Sequence, residues 1–212
     1  EQKGPYDIET LATDVLKLIH YCGEEKAIVI GHDWGGAIAW QFGAMYPEAC
    51  KKLVVLNCPH PAQMERALRK NRKQLRKSWY MFYFQLPLLP EFTLTCGNAA
   101  SVRSIYRKSA INLTHFSEEE IAPLVEAIQK PGAARAALGY YRAALRSTLK
   151  AKKSSGVIGK KKLIDCPTLL LWAKQDFALD YDALVPGTER YVSKLQVQTI
   201  DRCGHFVQEE QP

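Results

Sequence analysis

The 212-residue sequence has no apolar run of bilayer-spanning length. Its richest stretch, residues 79–90, is interrupted by Gln85, Pro87 and Pro90, whereas a spanning helix needs about 20 consecutive apolar residues. Its cysteines also lack short metal-type spacing such as Cys-x-x-Cys, so none of the common structural zinc motifs is matched. The six cysteines (Cys22, Cys50, Cys58, Cys96, Cys166, Cys203) are scattered and mostly flanked by apolar residues, so buried, reduced thiols are expected. There is no internal repeat, and one biased patch only, the Lys/Ser-rich residues 151–162, which reads as an exposed linker. There is no initiator Met and no secretory leader, and the chain stops at Pro212 where a further helix is beginning. Both ends are therefore read as cut.

What is present is the composition of a globular chain: 47% apolar and 24% charged residues, a balance that excludes disorder throughout. The net charge of +7 is concentrated in residues 66–77 and 150–162. Solvated helix faces are the first reading of such runs, and attraction to an anionic membrane surface through a basic helical face is the second. Without an accompanying recognition motif, no nucleic-acid partner is expected. The compartment is read as the cytoplasm or the cytoplasmic face of a membrane.

Ile8, Leu11, Val15, Leu18, Ile19 and Cys22 recur at helical spacing and Gly23 supplies a stop. Residues 27–31 (A-I-V-I-G) and 53–56 read as buried parallel strands, with a helix of small and apolar residues between them that Pro47 closes. This is a βαβ unit, which places helices against a parallel sheet. From 59 to 160 the character changes to aromatic-rich and basic helical segments without a strand, including a capping box at Ser117 and Glu120. Strands resume at residues 168–172 and 195–200, with a helical stretch between them. The expected architecture is an α/β core, residues 1–58 and 161–212, interrupted by a helical insert at 59–160.

The most informative segment is Ile30-Gly31-His32-Asp33-Trp34-Gly35-Gly36. It follows a strand, precedes a helix, and sets glycines two residues before and two after Asp33, the pattern of a sharp nucleophile-bearing turn. Small flanking residues are needed for strand and helix to approach, and the strained turn aims helix N-terminal amides at the reacting group. The Trp34 N–H is thus an expected oxyanion donor. A carboxylate is ionised near neutral pH and needs no base for its own attack. It suits displacement at an sp³ carbon to give an ester that water then opens. In isolation such an Asp is more often a plain helix N-cap.

G-H-D-W-G-G-A-I-A-W, followed by Y-P-E and L-N-C-P-H-P, resembles the epoxide-hydrolase branch of the α/β-hydrolase superfamily, and the likeness runs along nearly the whole chain. It implies an α/β-hydrolase fold, a mostly parallel, doubly wound sheet with an inserted helical lid at 59–160. In this superfamily the order is nucleophile, acid, histidine. Asp176 lies just beyond the strand at 168–172, and His205 just beyond the strand at 195–200, both at the carboxyl edge where open α/β sheets place sites. His205 is the expected base for the hydrolytic water and Asp176 its partner, with Asp180 and Asp182 as fallback acids. His32 is read as a neighbour of the elbow and His60 as shaping the loop into the insert; His20 and His115 carry no claim.

The resemblance also implies two lid tyrosines that donate to the epoxide oxygen. The segment W-Y-M-F-Y-F-Q-L-P aligns Tyr80 with the first, leaving Tyr83 as substitute, and G-Y-Y-R aligns Tyr141 with the second. In the second motif Gly139-Tyr140 stands where many relatives have Asn-Trp, and Ala143 where they often have Asn, a departure that bears on substrate shape. The family's upstream H-G-x-P motif, which supplies a second oxyanion donor, has no match. Gly4-Pro5 lacks the preceding strand and His, so the early strands are expected to lie outside the sequence and the isolated 212 residues to be inactive. The implied substrate is a small lipophilic epoxide, opened to a vicinal diol without metal or organic cofactor. Dehalogenases carry similar Asp elbows, so halide release is the rival chemistry, and a non-catalytic ligand-binding relative the rival class.

Overall fold

The structure, a computed structural model, describes residues 5–153 and 163–212. Helix α1 (Ile8–Tyr21) ends at Gly23, whose φ of +80° suits glycine. The chain then enters β1 (Ala27–His32), turns at Asp33 into α2 (Trp34–Met45), and returns through β2 (Cys50–Leu56). Strand β2 begins three residues earlier than its apolar run, because Lys51 and Lys52 are exposed while their backbones still belong to the strand. After the insert come β3 (Thr168–Ala173), the short α9 (Tyr181–Leu184), β4 (Leu195–Ile200) and α10 (Val207–Glu210).

The four strands form one parallel sheet in the order β1-β2-β3-β4. Alternation along the strands sends Leu53, Val55, Leu170 and Trp172 to one face, into a core shared with Trp40 and Phe42 of α2. Val54, Leu56, Leu171 and Ala173 point to the other, where Val207 of α10 joins them. This is the parallel sheet flanked by helices that the resemblance implies. On that second face, Ile28 and Ile30 of the edge strand β1 are half to two-thirds exposed. Four of the cysteines are buried free thiols; Cys22 and Cys96 are exposed.

Between β2 and β3 lie α3 (Pro61–Lys70), α4 (Arg72–Lys77), α5 (Trp79–Tyr83), α6 (Leu89–Ser109), α7 (Glu118–Gln129) and α8 (Ala133–Lys153). Helix α6 is broken by left-handed residues at Gly97, Asn98 and Ala99. The Ser117/Glu120 capping box starts α7 as expected. The insert has its own core around Leu94, Val102, Ile121, Val125 and Leu138. Residues 151–153, read from sequence as linker, extend α8; the rest of that expected linker, 154–162, lies outside the described residues. Among the described residues, no helix is long and apolar enough to cross a membrane.

Candidate active site

The turn between β1 and α2 holds Asp33 at φ +49°, ψ −120°, a strained conformation for a non-glycine residue. Crowding explains which glycines the turn requires. A Cβ on Gly31 would sit 2.2 Å from the Gly35 carbonyl oxygen, and one on Gly36 would sit 2.5 Å from Cβ of Cys58. Gly35 itself faces open space. The close approach therefore falls on Gly31 and Gly36, not on the symmetric Gly31/Gly35 pair that the motif suggests.

Asp33 Oδ1 accepts a 2.6 Å hydrogen bond from the Trp34 N–H, and Oδ2 lies 3.2 Å from His205 Nε2. On the other side of the ring, His205 Nδ1 is 2.7 Å from Asp176 Oδ2. Asp176 is buried and accepts three further bonds, from Asn57 Nδ2 at 2.8 Å and from the backbone N–H groups of Ala178 and Leu179 at 2.7 and 2.9 Å. The structure thus brings Asp33, His205 and Asp176 into one chain of contacts. Asp180 is instead paired with Lys73 at 2.7 Å, so neither it nor Asp182 on α9 replaces Asp176.

Electrostatics follow from this packing. Burial raises the Asp33 carboxyl, but hydrogen bonding and charge from His205, with the charge of His32 and the Trp34 N–H, outweigh it and leave its pKa below the ordinary value. Asp176 behaves likewise: burial raises it, while His205, Asn57 and the Leu179 N–H bring it below normal. Burial would lower His205, yet two carboxylates in contact push it up to about 10. These contacts favour two carboxylates around an imidazolium.

The insert supplies the aromatic side. Tyr141 packs edge-on against Trp34 at 5.0 Å and against Phe84 at 4.9 Å, and its ring centroid is 6.0 Å from that of Tyr80. Burial and then neighbouring charge, including that of Asp33, raise both phenols, so they stay protonated donors. Arg142 fixes this wall: it binds Glu91 through two hydrogen bonds of 2.6 and 3.1 Å and donates to the carbonyl of Phe84 at 3.0 Å. Tyr83, the substitute for Tyr80, points elsewhere, bonded to Thr93 Oγ1 at 2.5 Å.

Three further residues support the site: His32, read from the sequence as a neighbour of the elbow, and Asn57 and Glu210, which were not singled out. His32 bonds through Nε2 to the His205 carbonyl oxygen at 2.8 Å. Asn57, fully buried at φ +39°, accepts from the Ala173 N–H at 2.8 Å while donating to Asp176. Its signals in the sequence were its position at the carboxyl end of β2 and its place in the L-N-C-P-H-P stretch. Glu210 is buried and accepts from the N–H groups of Gly204, Ile111 and Asn112, so it ties the His205 loop to the end of α6. Nothing local in its sequence marks it.

A parallel sheet with an Asp-bearing elbow and strand-end acid and histidine defines a class, and the comparisons agree with it. Residues 2–212 match the alpha/beta hydrolase fold family, and the chain belongs to that family. It is 35% identical over 211 residues to the AB hydrolase superfamily protein YfhM of Bacillus subtilis (strain 168), covering 98% of this chain and 69% of that protein. It is 31% identical to Epoxide hydrolase 1 of Caenorhabditis elegans, covering 98% of this chain and 50% of the relative. Among solved structures it is similar to the Bacillus megaterium epoxide hydrolase in complex with an inhibitor. That match has TM-score 0.87 and 25% identity, and covers all of this chain and 74% of the other. The chain spans about half the length of several curated relatives it matches.

Proposed function

We propose that this chain carries the reaction centre of an epoxide hydrolase that opens a lipophilic epoxide to a vicinal diol, with residues 59–160 acting as the lid. The observation that carries the reading is the contact of Asp33 with both Trp34 N–H and His205 Nε2, with Tyr141 packed on Trp34, Tyr80 beside Tyr141, and both phenols protonated. The ionised Asp33 attacks a ring carbon through Oδ2, the C–O bond breaks, and Tyr80 and Tyr141 donate to the departing alkoxide. Oδ1, held by Trp34, becomes the carbonyl oxygen of the alkyl ester. Esterification removes one of the two negative charges that hold His205 protonated, so its pKa falls, its proton passes to the new alkoxide or to the phenolate that protonated it, and the neutral ring becomes a base for water. Water then adds at the ester carbonyl, Asp176 steadies the imidazolium, and the diol leaves. The named relatives support an epoxide as substrate, and an alkoxide leaving group explains two protonated phenols better than a halide does.

Trapping tests this without requiring turnover. Displacement at the ring carbon needs no oxyanion donor, whereas ester hydrolysis does, so even the 212-residue chain is expected to be alkylated. A His205→Gln variant incubated with an aryl epoxide should gain the mass of one epoxide molecule, mapped by peptide analysis to Asp33. Tyr80→Phe or Tyr141→Phe in that background should slow adduct formation by roughly 10- to 100-fold, while Tyr83→Phe leaves it unchanged. No adduct on Asp33, or halide release from an alkyl halide with no reaction of the epoxide, sinks the proposal.

A further inference from the structure

The α4–α5 segment buries polar side chains and exposes large apolar ones beside its cations. Its fully buried side chains are polar: Gln74 bonds Ser78, the Ala178 carbonyl and the Asp180 N–H, and Ser78 lies beside it. Its exposed positions mix the cations Arg72, Lys73 and Arg76 with large apolar side chains. Leu75 is 40% exposed, Trp79 63% and Phe82 54%, at the three- to four-residue spacing of a single helical stripe. The surface continues through Leu86 and reaches Leu88, which is 80% exposed and held at φ +62°. A left-handed turn position normally goes to glycine or asparagine, so displaying leucine there carries a conformational cost.

Charge tells what covers this face. Residues 66–90 contain seven Lys or Arg and no Asp or Glu. Several of the cations are engaged: Arg69 with Glu65, Lys73 with Asp180, and Lys77 with the Asp176 carbonyl. Arg72 and Arg76 are exposed and, among the described residues, in ion-pair contact with no carboxylate. They fall on the same stripe, one and two turns before Trp79. A short amphipathic surface with an indole, a phenyl ring and leucines at its centre and free arginines beside them is the composition of an interfacial membrane contact.

We infer that this face of the insert docks onto an anionic lipid surface, seating Trp79, Phe82 and Leu88 at the headgroup boundary with Arg72 and Arg76 against lipid phosphates. The one-turn helix α5 that exposes Trp79 and Phe82 carries Tyr80 on its inner side, packed against the core. If the proposed epoxide chemistry holds, docking would bring the site next to the phase in which a lipophilic substrate concentrates, but the docking itself does not depend on that chemistry.

The test is sedimentation of the 212-residue protein with vesicles of phosphatidylcholine alone or mixed with phosphatidylserine, read alongside tryptophan fluorescence. The expected result is binding to the mixed vesicles only, with a blue shift, weakened by added salt. Trp79→Ser/Phe82→Ser should abolish it. Arg72→Gln/Arg76→Gln should weaken it by roughly 30-fold, at about fivefold per cation. Leu18→Ser, at an exposed apolar position on α1, should bind as the parent does, and circular dichroism melts confirm that each variant folds. Absence of binding, binding insensitive to the Trp79/Phe82 pair, or a lipid-free dimer dissolved by those same substitutions overturns the inference, the last by naming a second copy as occupant. None of these outcomes touches the Asp33 adduct, so the two proposals fail separately.

Discussion

Asn57→Ala probes the part of the site that is least visible from outside. The side chain is fully buried and makes two hydrogen bonds, accepting from the Ala173 N–H and donating to Asp176 Oδ2, each at 2.8 Å. Removing it strands a buried amide, a cost of about 1–3 kcal/mol, and takes one donor from a buried carboxylate, about 1.5–3 kcal/mol. Alanine at φ +39° adds about 1 kcal/mol relative to asparagine, which tolerates that conformation. The contributions share a partner and will not add fully, so a loss of about 3–5 kcal/mol is expected. For a domain of this size that lowers Tm by roughly 10 °C. Asn57→Asp supplies the internal check. One introduced oxygen can still accept from Ala173, but the other meets the Asp176 carboxylate, so the new carboxyl has a folded pKa above its unfolded value. Its favourable share is complete below about pH 4 and lost as pH rises through the folded pKa. This variant should therefore approach the parent on acidification and fall away from it toward neutrality. Urea unfolding at several pH values measures both. An Asn57→Ala loss under about 0.5 kcal/mol, or an Asn57→Asp deficit that does not grow with pH, would refute the assignment of Asn57 as the brace of Asp176.

Two further outcomes follow from the geometry. Asp33 and Asp176 have folded pKa values below normal, so their stabilising share is complete above about pH 4 and disappears as pH falls through the folded values. His205, raised to about 10, stabilises fully below about pH 6.5 and loses that share as pH climbs toward 10. Stability should therefore fall off on both sides of a plateau at mildly acidic pH, and Asp33→Asn should move the alkaline decline to lower pH, as urea midpoints across pH will tell. At the elbow, Gly31→Ala should cost about 3 kcal/mol or more, since its Cβ meets the Gly35 carbonyl. Gly35→Ala, with open space around it, should be neutral or gain up to about 1 kcal/mol, a contrast that thermal melts resolve.

Local patterns determined a good deal by themselves. The βαβ unit, the strands at 168 and 195, the Ser117 capping box and the elbow around Asp33 are all encoded within a few residues, because periodicity, caps and crowded glycines act over one turn of chain. The order Asp33, Asp176, His205 was legible for the same reason: each follows a strand, and parallel strands deliver their carboxyl ends to one edge. Tertiary structure alone decided which acid faces the histidine, since Asp176 and Asp180 are four residues apart and only packing sends one to His205 and the other to Lys73. It alone assigned the turn's crowding to Gly36 rather than Gly35, and it alone brought Asn57, His32 and Glu210 to partners about 100 to 173 residues away. The placement of side chains on α4–α5 belongs to the same group. Composition announced the charge, but only the fold determines that Gln74 turns in while Trp79 turns out, because burial is a property of neighbours that a one-dimensional pattern does not contain.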